Sequence, residues 1–397
     1  MIVSSSQNSR TVLLLALLAV IVSAYVAWAE HRSHFVVPDP MAEAWRRLEQ
    51  DQSAPAQAVA RSVLAREPLR ADAYRLLAQS ADRAGQLDQA SRLYAQALLL
   101  QPRDLFSRQW LAAQALARGD VITAVGHYDR MLLVRPALAD KIYPLLTRLV
   151  ERGAAGALLP VLATDPSWRT GFLSQAAESV ANVDVLHGLF HPLDRSAVPL
   201  DDREQNVYLE RLLREQRYPE AYQAWVTFLS AAGRAALGNV FDGGFEQLPE
   251  NGGFGWRMGR VAGARIEQVD GSAVGGKQAL HVLFSNQRVP FSHVSQLLAL
   301  APGEYRLQGR VRVDSLRNER GLQWQVVCAH GDRQVLAVTE RVRGTEIWQP
   351  FSVVVSVPER ECRAQWLQLI LAARIPAEQH ISGQVWYDDL RIVRKRP

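Results

Sequence analysis

Pro68, Pro102 and Pro136 stand 34 residues apart. A spacing of that length restricts a chain to stacked helix–turn–helix units. A unit this short cannot bury its own apolar face, so several must stack, and the product is an extended surface rather than a catalytic cleft. Aligned on the prolines, the unit from Ala71 reads Tyr74, Leu77, Ala78, Ala81, Gly85, Leu87, Ala90, Tyr94, Ala97, Pro102. The unit from Leu105 reads Arg108, Leu111, Ala112, Ala115, Gly119, Val121, Ala124, Tyr128, Met131, Pro136. The paired alanines let two helices approach closely, the glycines fall at the turn, and the prolines follow the second helix, where they stop it without breaking it. Tyr94 and Tyr128 read as inter-helix core.

These positions resemble the tetratricopeptide repeat, most closely over 71–136, with a partial earlier unit that makes the repeat-like region 41–136. Arg108 departs from the aromatic that the pattern has there. The resemblance implies an all-α solenoid that docks a protein partner. From 137 to 237 apolar spacing stays helical but is broken by Pro144, Pro160, Pro166 and Pro192, so further irregular helical repeats are expected. One more pair is marked by Tyr208, Leu212, Tyr218, Ala221, Trp225 and Phe228.

Thr11 to Ala29 carries no charge over 19 residues, which just suffices to span a bilayer. Residues 1–30 therefore read as a signal-anchor or transmembrane segment, followed by a linker over 31–40. The charge balance places the remainder outside the cytoplasm: an inner-membrane protein with a single pass and a periplasmic bulk, or a periplasmic or secreted one if a peptidase cuts at Ala27-Trp28-Ala29.

Near Gly238 the alanine-rich texture stops. Alternating runs bounded by turn signals follow at Ala279–Phe284, Tyr305–Val313, Leu322–Cys328, Phe351–Val357, Gln365–Leu371 and Gln384–Val393. Such runs predict an antiparallel sandwich over 238–397. The expected fold class is thus a membrane helix, an all-α solenoid and an all-β jelly-roll sandwich. Leu367, Leu369 and Leu371 share one strand face, which puts Trp366, Gln368 and Ile370 on the other. Trp366 and Gln368, with Trp324 between Gln323 and Gln325, are the candidate glycan contacts, because sugars need an aromatic face beside amides. The two cysteines of the chain, Cys328 and Cys362, allow one disulfide or two separate thiols.

The opening Asn239-Val-Phe-Asp-Gly-Gly-Phe-Glu246 and the closing Val385-Trp-Tyr-Asp-Asp-Leu-Arg-Ile392 are similar to jelly-roll carbohydrate-binding modules. That resemblance implies a structural calcium near Glu246 and Asp388 or Asp389, and no other cofactor.

No GxSxG, P-loop or GxGxxG motif is present, and no Cys/His spacing suits zinc. Asp388 and Asp389 are adjacent in a strand, whereas a glycosidase pair must face each other across a bond. A net charge of +5 without a basic stripe interleaved with aromatics excludes a nucleic-acid footprint. The reading is a non-catalytic scaffold that docks a protein on its helices and binds or positions a polysaccharide with its sandwich, resembling accessory proteins of bacterial exopolysaccharide or envelope assembly. Two alternatives stay open: a glycan-active hydrolase or lyase, and a purely protein-docking scaffold.

Overall fold

The computed structural model describes residues 39–249, 251–271 and 273–395. Among these, thirteen α-helices precede ten strands. The Thr11–Ala29 segment lies outside the described residues. Among the described residues no helix is long and apolar enough to cross a membrane. The expected inner-membrane placement is corrected accordingly: nothing described puts this chain in a bilayer.

The chain divides into two units at Leu138/Ala139. In the first, six helices are described: α1 (Pro40–Glu49), α2 (Ser53–Arg66), α3 (Ala71–Arg83), α4 (Leu87–Leu100), α5 (Leu105–Ala117) and α6 (Val121–Val134). Their starts are set by side chains that accept the orphan N–H groups of a first turn: Asp39 for Met41, Asp104 for Phe106 and Asp120 for Thr123. Their turns are set by Gly85 (φ +73°) and Gly119 (φ +77°), in the left-handed conformation that glycine adopts without strain. Ala73, Ala78, Ala90 and Ala112 are fully buried, as close helix packing requires, and Tyr94 is buried among Phe106 and Trp110.

The second unit opens with α7 (Ala139–Glu151), α8 (Ala155–Leu162), α9 (Arg169–Ser179), α10 (Asp184–Asp194), α11 (Asp202–Arg214), α12 (Tyr218–Phe228) and α13 (Ala231–Ala235). Pro144, Pro160 and Pro192 sit inside α7, α8 and α10. A buried charge pair ties these helices together. Arg169 Nε and Nη2 donate to the two Glu204 oxygens at 3.0 and 2.8 Å, and its other bonds reach the carbonyls of Leu162, Val198 and Pro199. Glu204 also accepts from Thr170 Oγ1 at 2.9 Å and from the Asp201 N–H at 3.2 Å, closing a capping box at the start of α11. Arg211 donates to the carbonyls of Ala177 and Val180, satisfying the end of α9.

The ten strands form two five-stranded antiparallel sheets. Sheet A has the order β1 (Trp256–Met258), β4 (Val294–Leu298), β9 (Gln365–Leu371), β6 (Leu322–Cys328), β7 (Val335–Val338). Sheet B has the order β2 (Ala264–Asp270), β3 (Gln278–Arg288), β10 (His380–Arg394), β5 (Gly303–Arg317), β8 (Gly344–Val357). Their inner faces meet in one core, with Leu322, Trp324, Val326, Leu367 and Leu369 from sheet A against Val282, Leu307, Val311, Val385 and Tyr387 from sheet B. The opening of the sandwich also packs on helices of its own unit: Trp225 contacts Phe241 and Phe254, and Gly253 lies so close to the Trp225 ring that a Cβ there would sit 2.6 Å from it.

Candidate functional site

The alternation of β9 decides which side chains leave the core. Leu367, Leu369 and Leu371 are buried, and Trp366, Gln368 and Ile370 stand half-buried on the outer face of sheet A. Strand register then builds a polar row that no single strand displays. Arg257 of β1 pairs with Ser295 of β4, Ser295 with Gln368 of β9, and Gln368 with Gln325 of β6. All four side chains share the outer face. Gln325 Nε2 donates to Gln368 Oε1 at 3.1 Å, and Gln323, two residues along β6, accepts from Arg341 Nε at 3.3 Å. Trp366 lies in the adjoining row between Leu297 and Val327.

Arg257 reaches over this indole, its guanidinium carbon 5.2 Å from the ring centroid, while its Nη2 bonds Glu210 Oε1 of α11 at 2.8 Å. Arg257 Nε is buried and has no hydrogen-bond partner among the described residues. A buried donor left without an acceptor is costly. Here it borders a row of hydroxyl, amide and indole groups. Arg257 and Ser295 were not identifiable from local sequence, because only the pairing of β1 and β4 brings them beside Gln368.

Trp324 is placed differently from the expectation. The β6 alternation turns Leu322, Trp324 and Val326 inward, and the Trp324 ring packs against Trp256 and Tyr387 at centroid distances of 5.8 and 5.4 Å. It belongs to the core, and its neighbours Gln323 and Gln325 face out instead.

The acidic residues gather on the loop before β3. Glu246 Oε1 accepts from the N–H groups of Lys277 (2.7 Å) and Gln278 (3.1 Å). Asp388 Oδ2 accepts from Val274 and Gly275, and its Oδ1 from Asp389. Asp389 faces Arg391 at 3.3 Å. Calcium takes six to eight oxygens. These carboxylates instead serve the protein's own N–H groups and an arginine. Among the described residues no group of three His, Cys, Asp or Glu side chains is arranged to hold a metal ion.

Asp242, beside them, accepts from the N–H groups of Glu246 and Gln247. Burial nevertheless pushes its carboxyl up to about 6, outweighing those bonds. A carboxyl whose folded pKa lies above its unfolded one favours folding while protonated. Its contribution is present at about pH 4 and is lost as pH rises through about 6. Asp242→Asn is therefore expected to shift the stability difference between variant and parent by about 2 kcal/mol in the variant's favour on going from about pH 4 to about pH 7. Urea denaturation at both pH values measures it, and an unchanged difference would return Asp242 to the ordinary carboxylate range.

Cys328, the last residue of β6, and Cys362, in the turn before β9, are joined as a disulfide with Cα atoms 5.2 Å apart. Gln365 supports this corner by donating to the Cys362 carbonyl at 2.8 Å and accepting from the Leu300 N–H at 3.0 Å.

No protein-family model matches the chain, and no curated protein matches it. Solved structures overlap its C-terminal part. The C-terminal region resembles carbohydrate-binding modules. One is a CBM4 structure, at 14% identity over 39% of this chain and 99% of that chain, with a TM-score of 0.30. Another is the xylan-binding CBM22-1 domain of Paenibacillus barcinonensis Xyn10C, at 14% identity over 36% and 87%, with a TM-score of 0.26. A third is TmCBM61 in complex with β-1,4-galactotriose, at 16% identity over 40% and 99%, with a TM-score of 0.27. Identities and scores of this size decide neither the fold nor the ligand of this chain, whose sandwich is read from its own strand order.

Proposed function

We propose that this chain is a non-catalytic adaptor whose sandwich binds a glycan across the outer face of sheet A and whose helix pairs, read as tetratricopeptide-like, dock a protein. Assembly or handling of a polysaccharide is the setting such a pairing would serve. The observation that carries the reading is the cross-strand row Arg257–Ser295–Gln368–Gln325 beside the half-buried Trp366. Hydroxyl, amide and guanidinium groups in line offer both donors and acceptors to sugar hydroxyls, and an aromatic ring next to them offers a face to the sugar's C–H groups.

The protein-docking half is supported by apolar side chains left exposed on the first unit, among them Leu99, Phe106 and Ile122. The non-catalytic reading is supported by the state of the carboxylates that a hydrolase or lyase would need. Glu246 and Asp388 are each committed to backbone N–H groups of one loop.

Binding of the full chain to a panel of neutral polysaccharides, measured by affinity electrophoresis, tests the proposal. Trp366→Ala and Gln368→Ala are each expected to weaken binding roughly tenfold or more, equivalent to about 1.4 kcal/mol. Retention that both variants leave unchanged would move the glycan elsewhere, and no retention across the panel would leave the protein-docking reading.

A further inference from the structure

The opposite face of the sandwich carries a different chemistry. Along β5 the outward positions are Glu304, which pairs with Lys395 at 3.2 Å, then Arg306, Gln308, Arg310, Arg312 and Asp314. Register sets Arg391 of β10 against Gln308, and Ser352 of β8 against Gln308 on the other side. These groups line a shallow depression of about 430 Å³ on the outer surface of sheet B. Arg312 is already committed, its guanidinium lying 4.4 Å from the Trp386 ring centroid, and His281 stacks on that indole at 4.7 Å. The remaining arginines stay accessible: the side chains of Arg310 and Arg391 are 45% and 60% exposed, and Arg306 has no ion-pair partner among the described residues. The acidic group lining the depression is Asp389, 3.3 Å from Arg391 and 4.0 Å from Arg310.

We infer that this face is a second binding site, for a carboxylate-bearing polysaccharide. Guanidinium groups match carboxylates in shape and charge. Their arrangement selects among anions. Arg306 and Arg310 are four residues apart on one strand, about 13 Å, with Arg391 to one side and the neutral Gln308 and Ser352 between them. Arg310 and Arg391 share the Asp389 carboxylate, whereas Arg306 stands further along the strand beyond Gln308. The three suit a polymer whose carboxylates alternate with hydroxyls, which Gln308 and Ser352 can bond. A nucleic acid would need rings to stack its bases on, and the aromatic ring at this depression, Phe351, packs inward towards Tyr387. Asp389 faces Arg310 and Arg391 and is the group a carboxylate would replace. The site stands apart from the Trp366 row, which lies on the other sheet.

Calorimetric titration of the full chain with oligogalacturonate, and with the same oligomer fully methyl-esterified, tests the inference. The acid form is expected to bind, with affinity that falls as salt is raised, and the ester to bind at least tenfold more weakly. Arg310→Gln combined with Arg391→Gln is expected to weaken the acid form tenfold or more, while Trp366→Ala leaves it unchanged. Asp389→Asn is expected to tighten it severalfold, a gain that a misfolded variant could not give, and asparagine tolerates the positive φ of 53° at that position. Equal binding of acid and ester, no binding of the acid form, or an arginine double variant that binds as the parent does would each overturn the inference. So would single-stranded DNA of equal charge binding as tightly and responding to the same variants. If instead a neutral glycan is retained through Trp366 while the acid form fails, the inference falls and the function proposed above stands.

Discussion

Glu204→Gln is expected to remove about 3–5 kcal/mol from the stability of the second unit. The glutamate is fully buried and the Arg169 side chain is 3% exposed. The substitution puts an amide NH₂ where a carboxylate oxygen had been and leaves the buried guanidinium with the half-exposed Asp165 carboxylate, 3.3 Å from its Nε, as its remaining counter-charge. Removing one member of a buried pair costs far more than the pair's net worth, because the partner's desolvation is no longer offset. The same carboxylate accepts from Thr170 and Asp201, so the connection into α9 and the first turn of α11 loosen together. Asp88→Asn, which breaks the exposed pair with Arg118, is the matched control and is expected to change little. Urea denaturation read by circular dichroism decides the point. If Glu204→Gln costs no more than the control, water reaches the pair and it is not a buried ion pair.

Reducing the Cys328–Cys362 disulfide, or replacing both cysteines with alanine, is expected to cost about 3–4 kcal/mol by loop-closure entropy for a sequence separation of 34. The bond closes the path from the end of β6 to the start of β9, where Gln365 and Trp366 begin the strand that carries the candidate site. Glycan binding should therefore weaken along with stability. Denaturation with and without reductant gives the energy, and binding of the double-alanine variant at low temperature gives the functional part. An unchanged urea midpoint on reduction would mean that strand pairing alone holds this corner.

Much of this could be read from the sequence wherever a residue's neighbours are local. The glycines of the helical turns and the alanines of the helix contacts repeat at fixed spacing because each answers a constraint inside its own helix pair. The same spacing returns at Gly153, 34 residues after Gly119 and again with positive φ, beyond the point where the side-chain pattern fades. The backbone requirement of a tight turn outlasts the packing pattern around it. Leu322–Cys328 and Gln365–Leu371 form strands over the expected residues, since alternation is a property of one segment. The strands that escaped notice are β1, β2 and β7, and all three lie at sheet edges. β1 and β7 are too short to show an alternation, and β2 has no fully buried position to mark one. Trp324 shows the other limit. Flanking glutamines suggested an outward ring, but which parity of β6 faces the core is set by β9 and the opposing sheet. The row that joins Arg257 to Gln325 is a property of register across four strands, and the arginine face is one across three.

The position of β10 has a consequence for how the molecule is made. It is the last of the ten strands in chain order and the middle strand of sheet B, with β3 on one side and β5 on the other. During vectorial synthesis the helices of the first unit can pack as they emerge, because their contacts are between near neighbours. Sheet B cannot close in the same way: until His380–Arg394 has left the ribosome, β3 and β5 each wait with an unpaired edge. Assembly of the sandwich is therefore a late, all-at-once event. A nascent chain arrested short of residue 380 would carry folded helices and two half-sheets open to any other strand, which makes this interval the one in which a chaperone would matter most.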